Sequence, residues 1–116
     1  MKFYKELKTN QVIFAPNGEI ASEDFQELKA NTQDAAVEKH VPVVSFEENK
    51  MVVRVGSVEH PMGEEHYIMW IAVVSGDCVQ IQNLNPGDQP VASFTKVENA
   101  EVYAYCNLHG LWKNND

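Results

Sequence analysis

The chain has 116 residues, of which 44% are hydrophobic and 22% are charged, a composition typical of one ordinary globular domain. Its 17 acidic side chains outnumber the 9 basic ones, and the formal net charge of −8 argues against nucleic acid and against an anionic membrane as partners, because both are polyanions. The two cysteines are too few for a disulfide framework, and the sequence shows neither a membrane-spanning apolar run nor a signal-peptide core, so we expect a cytoplasmic protein.

The N-terminal third of the sequence predicts a short, mixed segment. Residues 11–14 are apolar and predict a short strand. Ser22 is a typical helix N-cap, and Phe25 and Leu28 follow it at helical spacing, which favours a short helix. Residues 31–36 favour another helical turn.

After residue 40 the pattern indicates an all-β chain. Apolar, β-branched runs are separated by turn signals, and the run at 67–74 is apolar on both faces, as expected of a central strand. Short strands at this spacing predict a small antiparallel β-sandwich or barrel. The predicted strands are 41–46, 51–55, 67–74, 78–84, 91–97 and 102–106.

The candidate metal ligands lie at the ends of these strands. His40 precedes the first β run, His60 follows another, His66 begins the longest one, and Cys106 and His109 form a Cys-x-x-His pair after the last. Strand ends cluster at the two poles of a sandwich, so side chains distant in sequence can converge there. Imidazole and thiolate are ligands for zinc, iron or copper rather than for magnesium or calcium. The spacing alone therefore leaves a metal site and ordinary surface or core histidines equally open, and it does not name the metal.

The sequence around these residues resembles the superoxide reductase family, which comprises the desulfoferrodoxins and neelaredoxins. Three separated motifs match in order, and the resemblance extends over about residues 31 to 112. The matching segments are Glu38-Lys39-His40-Val41-Pro42-Val43, then His60-Pro61-Met62 with His66-Tyr67-Ile68 and Trp70-Ile71, and Cys106-Asn107-Leu108-His109-Gly110-Leu111-Trp112.

The resemblance implies an immunoglobulin-like antiparallel β-sandwich that holds one mononuclear non-haem iron, which alternates between Fe²⁺ and Fe³⁺. The implied ligands are four equatorial imidazoles and one axial thiolate: His40, His60, His66, His109 and Cys106. It further implies the one-electron reduction of superoxide to hydrogen peroxide at the open sixth position, with electrons from rubredoxin or a similar small donor. Related proteins form dimers and tetramers, so we expect a homo-oligomer, and zinc can replace iron in recombinant protein.

Two charged residues directly before the first ligand match the family motif. The resemblance implies that Lys39 attracts superoxide and hydrogen bonds the nascent peroxide. It implies that Glu38 can occupy the sixth position of the oxidised site. Taken without the motif, both residues read as ordinary solvated charges.

The N-terminal segment departs from the two-iron members of the family. Those members hold a second, rubredoxin-like iron with four cysteines, whereas Glu6 and Thr9 stand here where the first Cys-x-x-Cys pair is expected. Cys78 is the only cysteine left besides Cys106, and we expect it to be an exposed thiol without a role. The sequence therefore predicts a one-iron protein with a vestigial, metal-free segment at 1–36 and an iron-binding sandwich domain at 37–116.

Two other functions fit part of the pattern. A cupredoxin-like electron carrier also uses cysteine and histidine at one pole of a sandwich, but no methionine follows His109 and four histidines exceed what such a site needs. A binding module stabilised by zinc is the second alternative, although structural zinc prefers four ligands and five candidates are present.

Overall fold

The computed structural model describes residues 1–114, and it is built almost entirely from antiparallel strands. The all-β sandwich prediction is confirmed. Within the described residues, no helix is both long enough and apolar enough to cross a membrane. The elements are β1 (Lys2–Glu6), β2 (Val12–Ala15), β3 (Phe25–Leu28), α1 (Val37–His40), β4 (Pro42–Glu47), β5 (Lys50–Val55), β6 (Ile68–Ser75), β7 (Cys78–Asn83), β8 (Val91–Thr95), β9 (Glu101–Cys106) and β10 (Gly110–Lys113).

Two sheets form the sandwich, one in the order β4-β5-β8 and the other in the order β10-β9-β6-β7. In β5, Val53 and Val55 are fully buried while Arg54 between them is exposed, because successive side chains of a strand point to opposite faces. In β6, Ala72 and Val73 are neighbours in sequence and both are buried. The central strand is therefore covered on both faces, as the apolar run at 67–74 predicts.

A third sheet, in the order β2-β1-β3, covers the outer face of the larger sheet. Phe3 of β1 is 5% exposed. Its ring stacks on Trp70 with 5.5 Å between ring centroids, and it contacts Tyr103 at 4.9 Å. Val74 and Tyr105 belong to the same buried cluster. The N-terminal segment thus covers the face of β6 that points away from the sandwich core.

The helix predicted after Ser22 is wrong, because residues 25–28 form β3. This strand pairs with β1, and Phe3 lies opposite Leu28. The hydroxyl of Ser22 accepts a hydrogen bond from the N–H of Asp24 at 3.2 Å, which closes a turn instead of capping a helix. Pairing with the open edge of β1 therefore outweighs a weak local preference for helix.

The helical turn predicted at 31–36 is also wrong, because this stretch forms bends and the helix α1 begins only at Val37. Asn31 bonds three main-chain groups of β10. Its N–H donates to the carbonyl of Leu111 at 3.0 Å, and its side chain accepts from the N–H of Lys113 at 2.9 Å and donates to the carbonyl of Lys113 at 3.1 Å. Hydrogen bonds from Asn31 to a strand edge thus take the place of a helix here.

A carboxylate closes the turn after β1. Glu6 accepts hydrogen bonds from the N–H groups of Lys8 at 2.7 Å and Thr9 at 3.1 Å. The next turn lies alongside, because the N–H of Leu7 donates to the carbonyl of Asp24 at 2.9 Å. The main-chain donors of this turn are satisfied without any sulfur ligand.

Candidate metal centre

The four histidine rings lie at one pole of the sandwich and form a square. Adjacent centroids are 4.7 Å apart for His40 and His60, 4.7 Å for His60 and His66, 5.1 Å for His66 and His109, and 5.0 Å for His109 and His40. Adjacent rings are nearly perpendicular, with interplanar angles of 76° to 88°. The diagonal between His40 and His66 is 6.3 Å. Four imidazoles thus surround one point.

Two main-chain carbonyls determine which nitrogens face that point. The Nδ1 of His40 donates to the carbonyl of Ala36 at 2.7 Å, and the Nδ1 of His60 donates to the carbonyl of Pro61 at 2.6 Å. A carbonyl can only accept, so both rings carry their proton on Nδ1 and present the lone pair of Nε2 inward. A carbonyl partner on the outer nitrogen is typical of a metal-binding histidine.

The inward nitrogens lack the partners that an ordinary buried histidine would have. The Nε2 of His60 and the Nδ1 of His109 each lie 3.2 Å from the Nε2 of His40. The Nε2 of His66 is buried without a hydrogen-bond partner. Lone pairs facing one another at this distance repel, and an unpaired buried nitrogen is costly. A cation at the centre removes both penalties, so this donor set fits a metal ion.

Cys106 adds sulfur to the nitrogen square. Its side chain is fully buried, and its Sγ lies 4.0 Å from the Nδ1 of His109. The ligand atoms of His40, His66, Cys106 and His109 all lie within 4.8 Å of one another. His60 stands outside this group of four, although it adjoins His40 and His66 in the square. The five candidate ligands are therefore assembled at one point, and their role as ligands stays a prediction.

The environment of the sulfur acts on its ionisation in two directions. Burial raises the pKa of the Cys106 thiol, while hydrogen bonds from the main-chain N–H groups of His109 and Leu108 lower it. Burial is the larger effect. A bound cation is what would hold this sulfur as a thiolate.

Burial also favours the neutral, metal-binding form of His40, His60 and His66. It lowers the pKa of His40 and His66 below the ordinary value, and it lowers the pKa of His60 to about 4. Neighbouring histidines act in the same direction in all three. Because the folded-state pKa of His60 is depressed from 6.5, its contribution to stability is present above pH 6.5 and is lost as the pH falls towards 4.

Local structure explains how the ligands arrive at one pole. The N–H of His60 donates to the carbonyl of Val55, the last residue of β5, at 2.9 Å. His66 is positioned by an isolated β-bridge with Gly63. Cys106 and His109 belong to the β9–β10 hairpin, in which Gly110 lies opposite Cys106. Gly110 has φ +80°, a conformation that glycine adopts without a steric penalty.

His40 is the last residue of α1, whose main chain is tightly held. The carbonyl of Glu38 accepts hydrogen bonds from the N–H of Val58 at 2.9 Å and from the hydroxyl of Ser57 at 3.3 Å. Gly56 packs so closely that a Cβ on it would lie 2.6 Å from the same carbonyl oxygen. The loop after β5 therefore fixes the segment that carries Glu38, Lys39 and His40.

Glu38 and Lys39 are exposed beside the square. The Lys39 charge contributes to lowering the pKa of His66, and the Glu38 charge acts to raise that of His40, so both charges are close to the rings. Lys39 also lines a polar groove of about 440 Å³ together with His60 and Asp88. The structure thus places the charges of Lys39 and Glu38 close to the histidine rings.

Three groups that support the site are not apparent from sequence reasoning. The carbonyls of Ala36 and Pro61 carry no sequence signal, because every residue has one. Asn107 ties the last turn to the loop before β6, since its side chain accepts from the N–H of Tyr67 at 2.9 Å and donates to the carbonyl of Glu65 at 3.0 Å. Its position directly after Cys106 is the only signal that could have drawn attention to it.

Cys78 is exposed, as expected, and begins β7. Both cysteines are unpaired thiols, one exposed and the other buried. Nothing about Cys78 connects it with the site.

Comparisons with known proteins agree with this geometry. The sequence model of the desulfoferrodoxin family matches residues 32–115, a range that includes all five candidate ligands. A desulfoferrodoxin of Clostridium acetobutylicum is 53% identical over 92 residues, which cover 79% of this chain and 74% of that protein. A superoxide reductase structure from Treponema pallidum has a TM-score of 0.76 at 34% identity, covering 97% of this chain and 98% of that one. A one-iron superoxide reductase from Giardia intestinalis has a TM-score of 0.58 at 37% identity, covering 66% of this chain and 95% of that one.

Proposed function

The chain belongs to the desulfoferrodoxin family, and from this premise we propose that it is a superoxide reductase. It adds one electron and two protons to superoxide and yields hydrogen peroxide. The observation that carries the proposal is the square of four inward-facing imidazoles with the buried sulfur of Cys106 beside it. This donor set is more than structural zinc uses.

We propose that His40, His60, His66, His109 and Cys106 hold one iron ion. The iron supplies the electron when it is bound, passing between Fe²⁺ and Fe³⁺. Four neutral imidazoles and one thiolate leave the Fe²⁺ centre with a charge of +1, because +2 and −1 add to +1. This centre is a local target for an anion on a chain whose net charge is −8. Zinc accepts the same ligand types and is expected as a substitute in recombinant protein.

Lys39 and Glu38 act at the mouth of the site in this proposal. The exposed ammonium of Lys39 attracts superoxide and donates a hydrogen bond to the departing peroxide. The carboxylate of Glu38 would be a further ligand for the ferric ion. The carbonyl of Glu38 is held by Ser57 and Val58, so this carboxylate would approach a bound metal by rotation of its side chain.

The remaining parts of the proposal concern organisation and partners. A rubredoxin or similar small protein supplies the electrons, the chain works in the cytoplasm as a homo-oligomer, and residues 1–36 form a metal-free segment beside the sandwich domain at 37–116. The carboxylate-closed turn at Glu6 supports the one-iron form, because that turn has no sulfur ligand to offer.

Metal analysis tests the proposed function. Protein made in iron-replete cells is expected to contain stoichiometric iron, with a charge-transfer band that bleaches on reduction and returns after reaction with superoxide. Zinc without iron under these conditions would contradict the enzyme proposal. An intense blue band from copper would favour the electron carrier instead.

The role of Lys39 is tested by Lys39→Ala. We expect the iron to be retained, the second-order rate with superoxide to fall about tenfold, and its dependence on ionic strength to weaken, because one attractive charge is removed from the mouth of the site. Stopped-flow or pulse radiolysis at several salt concentrations measures the rate and its dependence on ionic strength. Lys50→Ala is the matched control, since Lys50 is exposed at the opposite end of β5. Equal rates and salt slopes in the two variants would remove Lys39 from the mechanism.

A further inference from the structure

Trp112 is the largest fully buried side chain of the described chain, and it touches two of the candidate ligands. Its indole stacks on the ring of His40, with centroids 4.9 Å apart and an interplanar angle of 28°. Its Nε1–H donates to the carbonyl of His109 at 2.9 Å. One side chain therefore contacts the ring of one candidate ligand and the main chain of its neighbour in the square.

The stacking contact complements the hydrogen bond that His40 already makes. The bond from Nδ1 to the carbonyl of Ala36 fixes one atom of the ring, but the ring can still tilt about that atom. The parallel face of the indole removes this freedom, because a tilt of the imidazole would drive it into the indole. The direction of the Nε2 lone pair of His40 then follows from both contacts together.

The hydrogen bond to His109 acts on a ring that has less support of its own. His40 and His60 each donate to a carbonyl, whereas among residues 1–114 no carbonyl accepts from the ring of His109. The orientation of that ring depends on its main chain, and the indole N–H holds the main-chain carbonyl of the same residue. Trp112 thus holds the main chain from which the ring of His109 projects.

We propose that Trp112 is a positioning residue that aligns His40 and His109 for metal binding before any metal arrives. The proposal rests on the proposed function only in taking these histidines as ligands. It assigns two separable tasks to one side chain, the stack to His40 and the hydrogen bond to His109.

Trp112→Phe separates the two tasks, because phenylalanine keeps an aromatic face and lacks the N–H donor. We expect Co²⁺, added alone to the metal-free protein, to bind about tenfold more weakly, the lower end of the effect typical of lost outer-sphere partners. In long-range ¹H–¹⁵N spectra of the metal-free protein, the ring signals of His109 are expected to shift while those of His60 stay in place. Trp112→Leu removes the stack as well and is expected to shift His40 in addition.

Trp70→Phe is the matched control, since Trp70 is a half-buried aromatic that stacks on Phe3 and Tyr105 instead of on a histidine. It is expected to leave Co²⁺ affinity and all histidine signals unchanged. Unchanged affinity in Trp112→Phe would overturn the proposal, as would equal losses in Trp112→Phe and Trp70→Phe. If Trp112→Leu does not fold, Trp112→Phe alone decides. Normal Co²⁺ binding by a wild-type protein whose iron form leaves superoxide unreduced would contradict the proposed function and leave the role of Trp112 intact.

Discussion

Replacing Cys106 by serine is expected to abolish the visible charge-transfer band of the oxidised iron protein and to lower superoxide reduction by more than a hundredfold. That loss exceeds the roughly 10- to 100-fold effect of an outer-sphere partner, because a ligand itself is removed. A thiolate donates electron density to iron, whereas a serine hydroxyl does not ionise near neutral pH and binds iron weakly. The band arises from sulfur, so it disappears even if iron remains bound.

Absorption spectra and superoxide kinetics on the iron-loaded variant test this expectation. Cys106 is fully buried, so the new hydroxyl also destabilises the fold by about 1–3 kcal/mol unless it finds a partner. A thermal unfolding curve separates this loss from the loss of chemistry. Cys78→Ser is the matched control, because Cys78 is the other cysteine and is exposed. A band that survives in Cys106→Ser would show that Cys106 has been wrongly assigned as the sulfur ligand.

Gly56→Ala is expected to displace the segment that carries His40 and the two charged residues before it. The added Cβ would lie 2.6 Å from the carbonyl oxygen of Glu38, 3.0 Å from the carbonyl carbon of Lys39 and 3.1 Å from the carbonyl oxygen of Val41. All three atoms belong to the main chain, so no side chain can rotate away, and the helix α1 must shift. Overpacking of this kind destabilises a protein by about 1–3 kcal/mol.

We expect Gly56→Ala to lower both the melting temperature and the iron content, since His40 leaves its corner of the square. Thermal unfolding with metal analysis measures the two effects. Gly63→Ala is the matched control, because Gly63 lies in the loop between His60 and His66 and a Cβ there would meet no atom within 4 Å. Equal stability and equal iron content in the two variants would contradict the tight packing of α1 on Gly56.

The strands that the sequence predicts correctly are those whose own residues form an apolar, β-branched run. The apolar, β-branched runs at 51–55 and 67–74 reappear as β5 and β6. By contrast, β1 and β10 are not predicted, because Lys2–Glu6 contains three charged residues and Gly110–Lys113 has only four residues. Both are strands because partners pair with them, and residues 25–28 become β3 for the same reason.

The candidate ligands are identified from sequence by their chemical type, their place at strand ends and the family motifs. Their square arrangement cannot be identified from sequence, because it depends on distances between segments that are far apart in the chain. The tautomers of His40 and His60 depend on main-chain carbonyls, which have no residue identity to detect. Trp112 belongs to a matching motif, but only the structure shows that its indole touches two histidines.

The contact between His40 and His109 joins ring atoms of residues 69 positions apart in the chain. An ion held by both would close a loop that contains most of the sandwich, and the chain entropy of an open loop grows with its length. Because such a site exists only in the folded chain, the ion would also favour folding by mass action. The metal of this protein would then act as a cross-link as well as a reactant, tying the segment before the first strand of the sandwich to the turn before the last.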